Sequence, residues 1–215
     1  MRNSIRKILI YSGIMLILAA ISLCTYNIIK DRKAYSKSQE VMTELIQLIP
    51  ETTDEKPTNV PSNPADNLFA PYEEESATDK LPPSISVNGR DYCGYISLPA
   101  FGLELPVIDS WSYEALDVSP CRFSGTAAGN DLIIAAHNYN SHFGLISKLN
   151  NGDDIIFTDT SGTVHSYHVD EIRVLDGGDA EGMFGGSRNE WDITLFTCTL
   201  SGQSRVAVRG CRVNR

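Results

Sequence analysis

The run from Ile8 to Ile29 constrains this chain most: 22 consecutive residues without a charged side chain. Roughly 20 helical residues cross a hydrocarbon core. In lipid a single segment must satisfy its own backbone N–H and C=O groups, so it must be a helix. A cleaved signal peptide is the competing reading, but its apolar core is usually about 7–15 residues. Thr25-Tyr26-Asn27 is also a poor small-x-small cleavage site. The expectation is an uncleaved anchor over 8–29. Basic residues flank both ends, so charge alone orients it weakly. The short tail 1–7 and the large acidic body place the tail in the cytoplasm and the body outside.

Charge divides the chain. Residues 1–33 hold Arg2, Arg6, Lys7, Lys30, Arg32 and Lys33 against Asp31, a balance of +5. The whole chain carries −9, so the remainder carries −14. Nucleic acid is excluded as partner, because phosphate binding needs clustered Lys and Arg. The membrane is the partner the sequence does imply.

After the anchor, Val41, Met42, Leu45, Ile46 and Ile49 recur at near-helical spacing. Residues 30–50 are therefore a stalk helix, stopped by Pro50. It either stands free or packs on the body. Residues 51–85 form an acidic linker with Pro57, Pro61, Pro64, Pro71, Pro82 and Pro83 and the run Glu73-Glu74-Glu75. Such a segment buries too little surface to offset its ordering entropy. Its one apolar patch, Leu68 to Tyr72 behind Asp66, competes as a lid over a functional site.

The body, 86–215, reads as strands. Tyr92–Leu98 is ended by Pro99; Leu103–Ile108 holds Pro106, which suggests an edge position. Ser112 caps a short helix to Leu116. Leu132 to His137 is a buried strand ending in a histidine. Phe143–Leu149 forms one or two helical turns. Asp154–Thr158 and Val164–Leu175 flank the turn Thr160-Ser161-Gly162. A glycine-rich loop, Asp176–Glu190, leads to Asp192–Thr199, and Arg205–Arg209 returns from it. About eight short strands with little helix predict an all-β barrel or sandwich.

Cys24 lies in the anchor; Cys93, Cys121, Cys198 and Cys211 are widely spaced, which is no disulfide framework. Cys93, Cys121 and Cys211 read as buried thiols, with a Cys93–Cys121 or Cys121–Cys211 bridge left open. Cys198 differs. It ends a strand, and the next strand opens on Arg205. A cysteine nucleophile needs an accessible thiolate, a nearby base and positive charge for the oxyanion. His137, at another strand end, supplies the base; alternation puts Arg205 and Ala207 on the face opposite Val206 and Val208. Spacing alone leaves a chance trio open.

Thr194-Leu195-Phe196-Thr197-Cys198 resembles the Thr-Leu-x-Thr-Cys signature of sortases, the cysteine transpeptidases of Gram-positive cell surfaces. Ala135-Ala136-His137-Asn138, Gly129-Asn130, Leu105-Pro106-Val107 and Tyr95 to Pro99 are also similar to sortase positions, in the expected order over roughly 92–213. The resemblance implies a closed eight-stranded β-barrel. It implies that Cys198 attacks a Leu-Pro-x-Thr-Gly-like sorting signal, that His137 moves protons, that Arg205 holds the substrate or oxyanion and that Thr197 helps orient the peptide. The implied partners are surface proteins bearing a C-terminal sorting signal and an amine nucleophile, from a peptidoglycan precursor or a pilin lysine.

Rival readings are a cysteine peptidase using water, a non-catalytic anchored binding module, and a redox or metal-binding surface protein. His142, His165 and His168 read as surface or strand histidines. Zinc from His137, His142, Cys198 and Cys211 lacks a ligand spacing. The acidic loop 176–190 offers calcium ligands of the kind some sortases use, but a solvated loop is the simpler reading and no cofactor is expected. Subclass stays open. No second apolar helix follows the last strand, unlike pilin-polymerising enzymes, whereas Val208-Arg209-Gly210 resembles them. The loop 176–190 is short for the helical insertion of the heme-associated type.

Overall fold

The structure, a computed structural model, describes residues 2–50, 82–179, 182 and 190–213. The linker with its lid alternative, Leu68 to Tyr72 behind Asp66, and most of the loop 176–190 lie outside the described residues. The apolar run belongs to one continuous helix, α1 (Arg2–Leu48, 47 residues), roughly 70 Å long at 1.5 Å per residue. Its two halves differ. From Arg6 to Lys30 no side chain is buried. Beyond that, Ala34, Ser38, Val41, Met42, Leu45 and Ile49 form one buried stripe. The stripe settles the stalk: it packs on the body, against β1 (Ile85–Val87) and β3 (Leu103–Ile108). Ile46, expected in the stripe, is 47% exposed. Burying a Val, Leu or Ile stabilises by roughly 1.5–3 kcal/mol each, so Val41, Leu45 and Ile49 suffice to hold the helix down.

The remaining strands are β2 (Arg90–Leu98), β4 (Cys121–Ser124), β5 (Leu132–Ala136), β6 (Asp154–Asp159), β7 (Val164–Asp176), β8 (Ile193–Cys198) and β9 (Ser204–Arg212), with a short helix α2 (Tyr113–Leu116) between β3 and β4. Pairing runs β2-β3-β4-β5-β8-β9-β7-β6, and β6 pairs back onto β2. Eight strands therefore close a barrel, and β1 adds only to β2. Pro106 faces Tyr95 across β2, while β3 meets β4 at the single pair Ile108–Cys121. The edge position suggested by Pro106 is therefore not found: β3 is paired on both sides within the closed barrel, and the proline is tolerated because β3 touches β4 at only that one pair.

Two apolar clusters sandwich the sheet. Ile96, Leu98, Leu105, Leu132, Ile134, Ala136, Leu195, Val206 and Val208 fill the barrel. Ile133, Ala135, Phe196 and Ala207 face outward, in a second cluster that also takes in Ala115 and Leu116 of α2 and, on the β1–β3 side, Val41, Leu45 and Ile49 of α1. Alternation in β5, β8 and β9 therefore assigns each residue to one face. Cys121 is fully buried, its thiol directed at the Ser119 carbonyl 3.4 Å away, so neither bridge left open by the sequence forms. Cys93 packs against the barrel core. Burial pushes both thiols up to about 12, which makes them inert packing groups.

Candidate active site

Register builds the site. β5 and β8 are parallel, with Ala136 beside Thr197; β8 and β9 are antiparallel, with Cys198 beside Arg205. One step past Ala136 brings His137 level with Cys198. Parity then matters. Ala136 and Val206 belong to the interior cluster, whereas Ala135, Phe196 and Ala207 belong to the outer one. His137, Cys198 and Arg205 all have outer parity. Continued one residue past Ala136, this register aligns the three residues singled out in the sequence across adjacent strand ends, and neighbouring strands are spaced about 4.8 Å apart. They lie at the end of the barrel where β5 and β8 finish.

Thr197 has the opposite parity and is 3% exposed. Its hydroxyl donates to the Ala136 carbonyl at 2.8 Å. That bond ties the two strand ends carrying His137 and Cys198. Nη1 of Arg205 donates to the carbonyls of Gly202 (3.0 Å) and Ser204 (3.1 Å). The guanidinium therefore braces the hairpin loop with two of its bonds, and Nε and Nη2 carry further donors. Cys198 is half-buried.

Asp117, just past α2, was invisible in the sequence as a site residue, since no spacing marks it. Its Oδ1 lies 3.4 Å from Nε2 of His137. Burial pushes the His137 imidazole below its usual value; the Asp117 carboxylate opposes this, and Lys30 of α1 adds to it. The neutral imidazole is therefore favoured. Asp117→Asn removes the opposing charge, so the His137 titration moves further down; Lys30→Gln moves it up. NMR titration of the His137 ring checks both signs. Movement of both variants in one direction contradicts the arrangement.

His142, read as a surface or strand histidine, is neither: it is fully buried in the turn after β5. Its ring lies tilted with its centroid 5.6 Å from that of Tyr139, which is itself 5.0 Å from His137. Neither ring nitrogen has a partner in hydrogen-bond geometry, although the Val118 backbone lies close enough to resist the shift weakly. Burial lowers His142 from 6.5 to about 4, assisted by His137. The sign follows. Between those values the unfolded chain binds a proton that the folded chain refuses, so stability falls as pH falls. At about 1.4 kcal/mol per unit, acidification to pH 4 costs roughly 3 kcal/mol. Thermal melts of the wild type and His142→Phe from pH 7 to 4 check this; the variant loses markedly less. His165 is buried within β7, bonded to Asp159 at 2.9 Å, and His168 is exposed beside Asp154. Cys211 sits toward the far end of β9 from Arg205, away from the row.

The model of the Sortase domain matches residues 96–213, more than half the chain, and the match spans His137, Cys198 and Arg205. The chain belongs to the sortase family. Sortase C1 from Streptococcus agalactiae is 27% identical, over 60% of this sortase and 72% of that chain, with a TM-score of 0.50. Sortase A from Corynebacterium diphtheriae is 24% identical over 59% of this chain and 62% of that one, TM-score 0.53. A Clostridium perfringens sortase D5 transpeptidase is 24% identical over 60% and 83%, TM-score 0.51. The last two show a shared fold alone. No curated protein matches this sortase. Membership implies cysteine transpeptidase chemistry in general terms, and the anchor-like helix α1 is compatible with a single membrane pass.

Proposed function

We propose that this sortase is a membrane-anchored transpeptidase, its barrel outside the cell, which joins a sorting-signal protein to an amine through Cys198. The observation that carries the reading is the register that sets Cys198 beside Arg205 and Ala136 beside Thr197, with His137 the next residue after Ala136 at the end of β5. As the Cys198 sulfur attacks the Thr–Gly carbonyl of a Leu-Pro-x-Thr-Gly-like signal, its thiol proton passes to the neutral imidazole of His137. The tetrahedral oxyanion is held by Arg205. Protonated His137 gives its proton to the departing glycine amine, leaving a thioester. The neutral imidazole then takes a proton from the incoming amine, which displaces sulfur and forms the new amide.

Just below Cys198 on the same outer face lies an aromatic surface. Phe196 meets Phe123 edge-on at 5.2 Å, and Phe123 meets Trp111 at 5.5 Å. Trp111 is 41% exposed. Such a surface suits the Leu-Pro portion of the signal. Thr197 serves the peptide indirectly, by holding the two strand ends in register. The amine is a peptidoglycan-precursor amine or a pilin lysine, and no cofactor takes part.

Incubation with a sorting-signal peptide, with and without oligoglycine, tests the reaction type. An amide product that replaces the hydrolysed acid when oligoglycine is added supports transfer. Release of acid alone, unchanged by the amine, makes the enzyme a peptidase.

A further inference from the structure

The course of α1 over the barrel fixes which way the active site faces. Asp31 lies two residues past the end of the apolar run, and its carboxylate accepts from the backbone N–H of Ser141 at 3.1 Å and from the Ser141 hydroxyl. Ser141 belongs to the loop that leaves His137. Lys30 lies close enough to influence His137 electrostatically. Further along, Gln39 donates to the Glu104 carbonyl at 3.2 Å. Glu104 is near the start of β3. That strand runs antiparallel to β5, because β3 is parallel to β4 and β4 antiparallel to β5. It therefore begins at the end where β5 finishes. Only then do Val41, Leu45 and Ile49 reach the cluster containing Val87 and Tyr92, where β1 and β2 meet at the other end. The helix passes down the barrel from the catalytic end to the opposite one, and its unburied apolar half projects beyond the catalytic end.

We propose that the catalytic end of the barrel faces the membrane crossed by its own helix, so that His137, Cys198 and Arg205 work in the lipid headgroup layer. This rests on the anchored reading above. Asp31 is about 3 Å of helix beyond Ile29, and Ile49 is about 30 Å beyond it, at 1.5 Å per residue. A headgroup layer is roughly 5–8 Å deep on each side of the core. The Ser141 loop beside His137 falls within that depth; the β1–β2 turn at Asn88 falls far outside.

The surface around the catalytic end suits a lipid neighbour. Lys30, Arg32 and Lys33 are exposed just past the apolar run, where basic residues attract anionic headgroups. Tyr26 and Tyr35, 56% and 48% exposed, bracket them as interfacial aromatic residues do. Leu200, in the loop two residues after Cys198, is 99% exposed, and an apolar side chain so placed gains by entering the interface.

The test uses the full-length protein in anionic phospholipid vesicles that carry a nitroxide on the headgroup. A fluorescent amino acid replaces Leu200 in one protein and Asn88 in another. Quenching at 200 is expected to exceed that at 88 by at least about threefold, since only the former lies within the roughly 5–8 Å headgroup layer. Equal quenching, or more at 88, while the protein floats with the vesicles and transfers acyl groups, overturns the orientation and leaves the anchor and the chemistry standing. Failure to float overturns the anchor and the orientation with it. Strong quenching at 200 without acyl transfer upholds the orientation and counts against the proposed chemistry.

Discussion

Cys198→Ala gives a barrel that melts near the wild-type temperature and transfers no measurable acyl group, a loss of at least about 1,000-fold. The two halves of that result come from the same geometry. Cys198 is half-buried at a strand end, outside the interior cluster, so removing one sulfur costs about 1 kcal/mol or less. Yet the site offers no other sulfur for the thioester: Cys93 and Cys121 are desolvated thiols pushed up to about 12, Cys211 lies toward the far end of β9, and Cys24 lies in the apolar half of α1. Circular dichroism melts beside a peptide-transfer assay measure both. Persistent transfer sinks the covalent reading. Loss of the fold makes Cys198 a core residue and favours the binding-module alternative.

Gly94→Ala has the opposite signature: the barrel fails before the chemistry does. Gly94 sits at φ +147°, next to the bulge that β2 makes against β3 between Tyr92 and Gly94, and opposite Asp159 of β6. A Cβ there would lie 2.1 Å from the Thr158 carbonyl oxygen and 2.9 Å from the Asp159 Cα. Both are backbone atoms of β6, so relief requires opening the seam that closes the barrel. The expected cost is about 4 kcal/mol or more, a large share of the roughly 5–15 kcal/mol by which domains are stable. Gly152→Ala is the control. Gly152 has φ +90° with nothing within 4 Å of an added Cβ, so only backbone strain of about 1–2 kcal/mol applies. Urea unfolding separates the two; similar midpoints would contradict the role given to the Gly94 seam.

Much of this was written locally in the chain. The hairpin from Thr194 to Arg209 announced itself through alternation, and the β6–β7 turn through Ser161 and Gly162, where the Asp159 carboxylate accepts from Ser161 and Thr163 N–H groups. Ser112 caps α2 as its type requires, accepting from Ala115 N–H at 3.0 Å. What stayed hidden was short or non-local. β1 has three residues, and β4 has four with a register break between Arg122 and Ser124, too few to display a period of two. Asp117 reaches His137 only because α2 is folded beneath the end of β5. His142 carries no local mark of burial, since its turn is covered by Tyr139 and tied to α1 through Ser141. The stalk stripe was visible, but the surface that covers it was not.

Everything proposed for this sortase depends on Cys198 carrying the acyl group. Intact-mass and peptide mass spectrometry, after brief exposure of the full-length enzyme to a sorting-signal peptide without an amine, tests it most directly. An added acyl mass is expected on the fragment containing Cys198, absent in Cys198→Ala and discharged as amide when oligoglycine is added. Product formation with no adduct on Cys198, or an adduct on Cys24, Cys93, Cys121 or Cys211 instead, would contradict it.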